Sequence, residues 1–461
     1  MILKNKKNIY MIGIGGISMS AIAEFLIKKN FSVSGSDNSY SETVKKLEKK
    51  NIKINIGHKS KNILSNIDLI IYSAAIKKDN PEIIRAKELN IKICDRADIL
   101  GEIIDEYKNS IAISGCHGKT TLTAMISEIL IYAKKDPTIF LGGQLLSNKI
   151  NFILGKSDYI VVEACEFHDS FLKFKSSISI INNFDIDHID YFKTRENLIK
   201  SFNKFAEQTK NKVIINAECC DLFKNINKKN KIVFDFNKNV RKIDFDDNQL
   251  ATFDFICEKC EIKNIKLKIP GKYNVLNAIA AISTCLELNV DPLEIKYSLE
   301  NFCGTARRFE FKGNFNSAKI FDDYAHHPSE IRETLNTVLK MNHNDIYCVF
   351  QPHTYSRTKI LFNEFAKELT NKNIKTIILK IYAAREKNIF DIKEEDLVKK
   401  INNLGGNAIF IKEFNDVEKY LIKNIKQNDL IITMGAGLAY QIGENLLKNK
   451  IKLKNIKKNI F

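Results

Sequence analysis

Short apolar runs alternate with longer amphipathic stretches along most of the 461-residue chain, and many of the runs end in glycine, serine or aspartate. Apolar runs of four to eight residues bounded by turn residues read as buried strands, and stretches with apolar positions every three or four residues read as helices. The opening sets the pattern. Residues 8–12 predict a strand, Gly13-Ile-Gly15-Gly16 a turn, 18–28 a helix, and a second strand ends at Gly35-Ser-Asp37. That is the beginning of a βαβ unit. Strands over 52–56, 68–72 and 91–94 follow, with a helix opened by Pro81, and a first domain is expected over residues 1–106.

Residues 111–121 begin the next domain, expected over 107–303. An apolar run enters Gly115-Cys116-His117-Gly118-Lys119-Thr120-Thr121, and an apolar-periodic segment follows from 122 to 131. Strand, tight loop and helix present consecutive backbone N–H groups at a helix N-terminus, where anions are favoured. The lysine ammonium can reach phosphate oxygens and a threonine hydroxyl can ligate Mg²⁺. Only two residues separate the glycines, against four in the general phosphate loop, so a plain glycine turn and helix cap is the competing reading. Further on, a strand over 158–166 places Glu163 and Glu166 at its C-terminal end, where Mg²⁺ ligands belong. A strand over 178–184 runs into Asp185-Ile-Asp187-His188-Ile-Asp190-Tyr191, three acids around a histidine that favour a metal or phosphate site over simple capping.

Residues 213–269 are strand-rich with a turn at Asp244-Phe-Asp-Asp247-Asn-Gln. Asn274 and Asn277 open a small-residue helix, where they either cap it or meet a nucleobase. After a linker at 303–310 carrying Arg307 and Arg308, strands over 319–321, 346–350, 376–379 and 430–434 alternate with helices, giving a third domain over 304–461. Its loops hold Asp322-Asp323-Tyr324-Ala-His326-His327-Pro328 and Gln351-Pro-His353-Thr-Tyr355-Ser-Arg357 directly after strands, where α/β sites collect.

Composition narrows the partners. At 44% hydrophobic the chain is long enough for about three cores. Ten scattered cysteines lack the spacing of a disulfide framework, so free thiols in a cytoplasmic protein are expected. Cys257 and Cys260 with Cys219 and Cys220 make a weak zinc reading, set below structural cysteines. No run reaches the ~20 apolar residues of a membrane helix, and the glycines and serines of 11–23 fit strand and turn better than a signal peptide. The formal charge of +17 is spread along the chain without an aromatic-interleaved basic block. That argues against a nucleic-acid partner and against a membrane surface. The local concentration at 448–458 reads as a solvated tail.

Taken together, Gly115-x-His-Gly-Lys-Thr-Thr, Glu163-Ala-x-Glu166, Asp187-His188-x-Asp190-Tyr191, Gly-x-Tyr-Asn274-x-x-Asn277, Arg307-Arg308-Phe, Asp322-Asp-Tyr-x-His-His-Pro and Phe350-Gln-Pro-His-x-Tyr-Ser-Arg resemble the Mur ligases of peptidoglycan synthesis, in the family's order. Cys116 stands where the family usually has Thr, and Cys165-Glu166-Phe-His168-Asp169 replaces its common Asp-Glu-Ser-Asp, which weakens Glu166 and Asp169 as ligands relative to Glu163. The resemblance implies an α/β enzyme of three domains: a Rossmann-like UDP-binding domain, a P-loop-type ATPase domain with a mostly parallel sheet, and a Rossmann-like C-terminal domain. It implies ATP and Mg²⁺ as cofactors, UDP-N-acetylmuramate and L-alanine as substrates, an acyl phosphate between them, and a monomer or weak dimer.

By position, the resemblance gives the nucleotide Gly115 to Thr121, with Lys119 on the γ-phosphate. It gives Mg²⁺ to Thr120, Glu163 and His188. Asn274 and Asn277 fall to ATP or its adenine, Arg308 to its phosphates and Asp323 to its ribose, so that Lys119, Glu163, His188 and Arg308 form the catalytic set. Gly15, Gly16, Ser18, Asp37, His58, Ser73 and Arg96 fall to the UDP-sugar, and His327, His353 and Arg357 to the substrates in the last domain. Three other readings share parts of this pattern: a ligase that recycles a ready-made peptide, a nucleotide-switched binding protein, and an NAD-dependent dehydrogenase suggested by the first glycine turn. In the last, Ser18 stands where the third glycine of the fingerprint would be.

Overall fold

The computed structural model describes residues 1–185, 189–223, 226–384 and 386–448. His188 and most of the basic tail, from residue 449 on, lie outside the described residues. Two compact units result. One holds residues 1–241, 254–265 and 276–302, and the other 242–253, 266–275 and 303–461.

The first unit contains two sheets. Five parallel strands run in the spatial order Lys53–Ile56, Ser32–Asp37, Asn8–Ile12, Leu69–Tyr72, Lys92–Asp95. The order reverses between Asn8–Ile12 and Leu69–Tyr72, which opens a crevice at the carboxyl ends of those two strands. Apolar runs with both faces covered are what a parallel sheet requires. Ile9, Met11, Leu69, Ile70 and Ile71 accordingly have almost no exposed surface.

Seven strands form the other sheet, ordered Lys231–Phe234, Lys212–Asn216, Ile178–Ile181, Asn109–Ser114, Tyr159–Glu163, Thr138–Phe140, Phe152–Ile153. All neighbours are parallel except the last pair. Two predicted strands stop early. The strand expected over 178–184 ends at Ile181 because Asn182 and Asn183 turn to hold the His117 carbonyl, and the one over 158–166 ends at Glu163.

One apolar cluster joins both sheets of this unit. Phe25, from the helix Ile17–Lys28, meets Phe140 and Phe152 of the larger sheet at ring-centroid distances of 5.9 and 6.3 Å, and those two rings lie 5.0 Å apart. Asn151 Nδ2 also donates to the Ile17 carbonyl at 2.8 Å. The division expected near residue 106 therefore separates two sheets but not two cores.

In the second unit six strands run Glu310–Phe315, Ala318–Asp323, Leu430–Met434, Ile346–Phe350, Ile374–Ile378, Asn407–Phe410, with Glu310–Phe315 antiparallel at the edge. Helices cover both faces, with separate buried clusters around Phe350 and Phe365 on one side and Tyr347 and Leu421 on the other. A further three-stranded sheet, Val240–Phe245, Leu250–Ile256 and Glu261–Pro270, turns at Asp246–Gln249 as the sequence predicts. All ten cysteines are free. Cys257 and Cys260 face each other with sulfurs 4.0 Å apart, and among the described residues no cluster of three metal-ligating groups includes either. Among the described residues no helix is long and apolar enough to cross a membrane.

Phe140→Ala removes a ring that is 4% exposed, a change expected to cost about 3–5 kcal/mol of stability. Native-state hydrogen exchange should then show lost protection in both Asn8–Ile12 and Tyr159–Glu163. Loss confined to one strand would mean that the sheets have separate cores.

Candidate active site

The strand Asn109–Ser114 delivers the chain to a loop that its neighbours hold in place. Gly118 adopts φ 77° as the N-cap of the helix Lys119–Tyr132, and a Cβ there would approach Asn182 Nδ2 and Asn277 Oδ1 to 2.8 Å. Both the left-handed backbone and the close approach call for glycine. The His117 N–H donates to Asn183 Oδ1 at 2.8 Å, and its carbonyl accepts from Asn183 Nδ2 at 2.8 Å and Asn182 Nδ2 at 3.2 Å. Asn182 Nδ2 also donates to Asn277 Oδ1 at 2.9 Å. Cys116 Sγ donates to the Asp185 carbonyl and accepts from its N–H, at 3.0 and 3.1 Å. His117 Nε2 lies 3.3 Å from Asp185 Oδ2.

Lys119 closes this loop from within. Its ammonium donates to the Gly115 carbonyl at 2.5 Å, to the Cys116 carbonyl at 3.3 Å, and to both oxygens of Glu166 at 3.1 and 3.0 Å. Burial works against the charge on Lys119, but the Glu166 carboxylate outweighs it and the pKa is raised. Glu166, 1% exposed, is thus a counter-ion to the lysine. The next turn carries Thr120, whose hydroxyl donates to Glu163 Oε2 at 3.3 Å, while Glu163 Oε1 accepts the Gly142 N–H at 2.6 Å. Thr121, also in that first turn, is buried. A Cβ on Gly142 would lie 2.4 Å from Glu163 Oε2, so the Gly142-Gly143 turn is part of the same construction. Asp169 accepts from Tyr191 at 2.7 Å and from Ser201, and His168 stacks on Tyr191 at 4.8 Å; both His168 and Asp169 have positive φ.

At the crevice of the five-stranded sheet, Gly16 caps the helix Ile17–Lys28 and Ser18 lies in its first turn. Asp37 is held in place by backbone N–H groups. Its Oδ2 accepts the Gly15 N–H at 2.9 Å and its Oδ1 accepts from Ser39 N at 3.2 Å, so the acid ties the strand end to the glycine turn. Ser73, across the crevice, donates its N–H to the Ile12 carbonyl. His58 leaves the strand Lys53–Ile56 with Nδ1 2.9 Å from Glu82 Oε2. Arg96 opens the helix Arg96–Asp105 behind its N-cap Asp95.

In the second unit Asn274 is 3% exposed and its side chain donates to the Pro270 carbonyl at 2.7 Å, which anchors the start of its helix. The stretch 303–310 is not a loose linker. Arg307 donates to Asp322 Oδ2 at 3.1 Å and to the Gly435 carbonyl at 2.6 Å, between the rings of Tyr324 and Tyr440. Arg308 lies over Tyr324 at 5.1 Å, with a nitrogen 3.6 Å from Glu330 Oε1. Asp323 accepts the N–H groups of Phe309 and Ala325 at 2.9 and 2.7 Å. Burial pushes its carboxyl up to about 7 against the pull of Arg308. His327 caps the helix Pro328–Lys340, while His353 stacks on Tyr382 at 5.6 Å and its Nδ1 lies 3.4 Å from Arg357.

Asn182, Asn183, Gly142 and Glu330 escaped the sequence reading as site residues. Two asparagines closing a buried strand and a Gly-Gly pair closing another were the available signals.

Three family models cover most of the chain: "Mur ligase family, catalytic domain" over residues 8–108, "Mur ligase middle domain" over 113–285, and "Mur ligase, glutamate ligase domain" over 307–437. The chain belongs to the Mur ligase family. This Mur ligase is 44% identical over 460 residues to a UDP-N-acetylmuramate–L-alanine ligase of Clostridium botulinum, covering 96% of this chain and 98% of that one. It is 45% identical over 455 residues to an enzyme of the same name from Acetivibrio thermocellus, covering 96% of each. The solved UDP-N-acetylmuramate-alanine ligase of Thermotoga maritima superposes with a TM-score of 0.82 at 28% identity, over 96% of this chain and 98% of that one. A murein peptide ligase from Psychrobacter arcticus, 22% identical, shares the fold with a TM-score of 0.69 over 96% of this chain and 98% of its own.

The raised carboxyl of Asp323 in this Mur ligase carries a stability prediction. A group whose folded pKa lies above its unfolded value stabilises fully below the unfolded pKa, and that contribution is lost as pH rises through the folded one. Stability should therefore decline between pH ~4 and ~7, by up to ~4 kcal/mol from this group. Asp323→Asn should flatten that decline in urea unfolding; an unchanged slope would mean that Asp323 ionises as freely folded as unfolded.

Proposed function

We propose that this Mur ligase joins L-alanine to the carboxylate of UDP-N-acetylmuramate, converting ATP to ADP and phosphate. Identity of 44–45% across 96% of the chain to ligases of that name carries the reading. A carboxylate oxygen attacks the γ-phosphorus and ADP leaves, giving an acyl phosphate. The amine of L-alanine then attacks the carbonyl carbon, phosphate leaves, and the nitrogen loses a proton to give the amide. Both steps gather negative charge, so fixed cations and N–H groups at the phosphates lower the barrier.

Within this reading the loop Gly115 to Thr121 cradles the phosphates and Lys119 neutralises the γ-phosphoryl group, exchanging Glu166 for phosphate oxygens. Thr120 and Glu163 place two hard oxygen atoms 3.3 Å apart, a donor pair that suits Mg²⁺. They would hold such an ion, with His188 as a further ligand by family position, and the ion would neutralise phosphate charge when bound. Arg308 is assigned to the ATP phosphates, Asn274 and Asn277 to ATP or its adenine, and Asp323 to the ribose. Gly15, Gly16, Ser18, Asp37, His58, Ser73 and Arg96 are assigned to the UDP-sugar, and His327, His353 and Arg357 to the amino acid or acyl phosphate. Residues 1–106, 107–303 and 304–461 are assigned as UDP-sugar, ATP and ligase domains. A cytoplasmic monomer or weak dimer fits ten free thiols and nucleotide substrates.

The test is phosphate release from ATP and Mg²⁺ with UDP-N-acetylmuramate, comparing L-alanine, L-serine, glycine and the murein tripeptide. Release with L-alanine and a product heavier by one alanine residue is expected; release with the tripeptide alone would make this a recycling ligase. Lys119→Ala should lower turnover at least ~10²-fold, the scale for one electrostatic stabiliser. Asp37→Ala should raise KM for the UDP-sugar more than for ATP, and the reverse order would overturn the division of roles between the first two domains.

A further inference from the structure

Beneath the five-stranded sheet's carboxyl ends, His58 belongs to a polar cluster whose centre, Glu82, is assigned no role above. Glu82, in the first turn of the helix Pro81–Glu88, is completely buried. Its Oε1 accepts from Tyr10 Oη at 3.0 Å and from Asn62 Nδ2 at 2.7 Å. Its Oε2 accepts from Ser36 Oγ at 2.6 Å and lies 2.9 Å from His58 Nδ1. Burial pushes the Glu82 carboxyl up, but the bonds from His58, Ser36, Asn62 and Tyr10 more than offset it and leave the pKa lowered. The group is thus a carboxylate, which only accepts.

That fixes the imidazole. With an acceptor-only oxygen 2.9 Å away, Nδ1 must carry the ring proton, and Ser36 Oγ, 3.0 Å from Nδ1 with its own proton on Glu82, is consistent with this. In the neutral ring Nε2 is then left with a lone pair. It has no partner among the described residues, and 9% of the His58 side chain is accessible.

Placement indicates what this lone pair faces. The Gly57 N–H donates to the Asp37 carbonyl at 2.8 Å, so His58, after Lys53–Ile56, sits one strand beyond the acid at the end of Ser32–Asp37 and two strands from the glycine turn. In a doubly wound sheet the glycine turn takes the phosphates and the acid at the next strand end takes the ribose. The base lies beyond. Uracil's imide N–H is its hydrogen-bond donor and matches a bare nitrogen acceptor, whereas cytosine offers an acceptor at the same ring position.

We propose that Glu82 is a positioning residue that fixes His58 as the Nδ1–H tautomer, so that Nε2 accepts a hydrogen bond from the uracil imide and selects uridine over cytidine nucleotides. The inference rests on the assignment of residues 1–106 to the UDP-sugar. Glu82→Gln makes it sharp. Asn62 Nδ2 also donates to the Gly57 carbonyl at 3.1 Å, so it must remain a donor and the glutamine oxygen must stay toward it. The new amide NH₂ then faces Nδ1 and drives the proton to Nε2, replacing an acceptor with a donor.

The experiment uses the intact chain without other substrates at about pH 8.5, two units above the ordinary imidazole pKa. Histidine ¹⁵N shifts report the His58 tautomer, assigned by its loss in His58→Ala, and calorimetry reports UDP and CDP affinities. The wild type should show Nδ1–H and prefer UDP. His58→Ala should weaken UDP about tenfold and CDP little, the scale of one hydrogen bond. Glu82→Gln should show Nε2–H and narrow the UDP-to-CDP preference about tenfold, with no additional effect in the His58→Ala background. An Nε2–H tautomer in the wild type overturns the proposal whether or not the variant folds. Equal weakening of UDP and CDP by His58→Ala, or an unchanged preference in Glu82→Gln, overturns the imide contact while leaving the UDP site in place. No UDP binding to the wild type, or none lost in His58→Ala, would overturn the assignment of the site itself.

Discussion

The Lys119 ammonium bridges its own loop and Glu166, and the geometry of the loop Gly115 to Gly118 follows from that bond. The carbonyls of this short loop are held by side chains from within it and from the neighbouring strand end. Lys119 draws in the carbonyls of Gly115 and Cys116. Asn182 and Asn183 hold the His117 carbonyl from the other side. Breaking a buried ion pair from one side strands the other charge, so Glu166 is stable in its place only while Lys119 stays near it. A phosphate that competes for the lysine therefore acts on Glu166 as well.

The same economy recurs at the other acids. Asp37 grips Gly15, Glu163 grips Gly142, and Asp323 grips Phe309 and Ala325, each through a backbone N–H. Carboxylates committed this way are fixed in orientation before any ligand arrives, and each oxygen still has a second lone pair to offer. Pre-organisation of that kind lowers the ordering cost of binding. Burial raises the Asp323 carboxyl, while Arg308 and the Ala325 N–H keep the ionised form within reach of neutral pH.

Strands that end in turn residues were legible from the sequence because parallel-sheet strands are continuous apolar runs, and 346–350 and 430–434 match residue for residue. The strand, tight loop and helix around Gly115 to Lys119 were legible because an apolar run, two glycines and an apolar-periodic segment follow one another there. The short strands Thr138–Phe140 and Phe152–Ile153 were not, since two or three residues show no period. Neither were Asn182, Asn183 and Glu82, whose work depends on neighbours tens of residues away. Long-range polar pairs leave no local pattern, and Glu82 in particular reads from sequence as an ordinary acid in the first turn of a helix.

The first glycine turn shows how a shared motif diverges. A dinucleotide fold uses its third glycine to let the helix pack closely on the strand and its acid to take a ribose. Here Ser18 stands at the third position, and the helix gains its close packing from Ala21, Ile22 and Phe25 one turn later, all buried. A Cβ on Gly15 would lie 2.9 Å from Asp37 Oδ2, so the acid buttresses the turn itself. Under the proposed assignment to a uridine nucleotide, recognition would move outward along the strand ends, toward Asp37's remaining lone pairs and His58. A ligand bound in that way would carry its identity in a base rather than in a second nucleotide, which would separate this sheet from the dehydrogenases that its opening residues resemble.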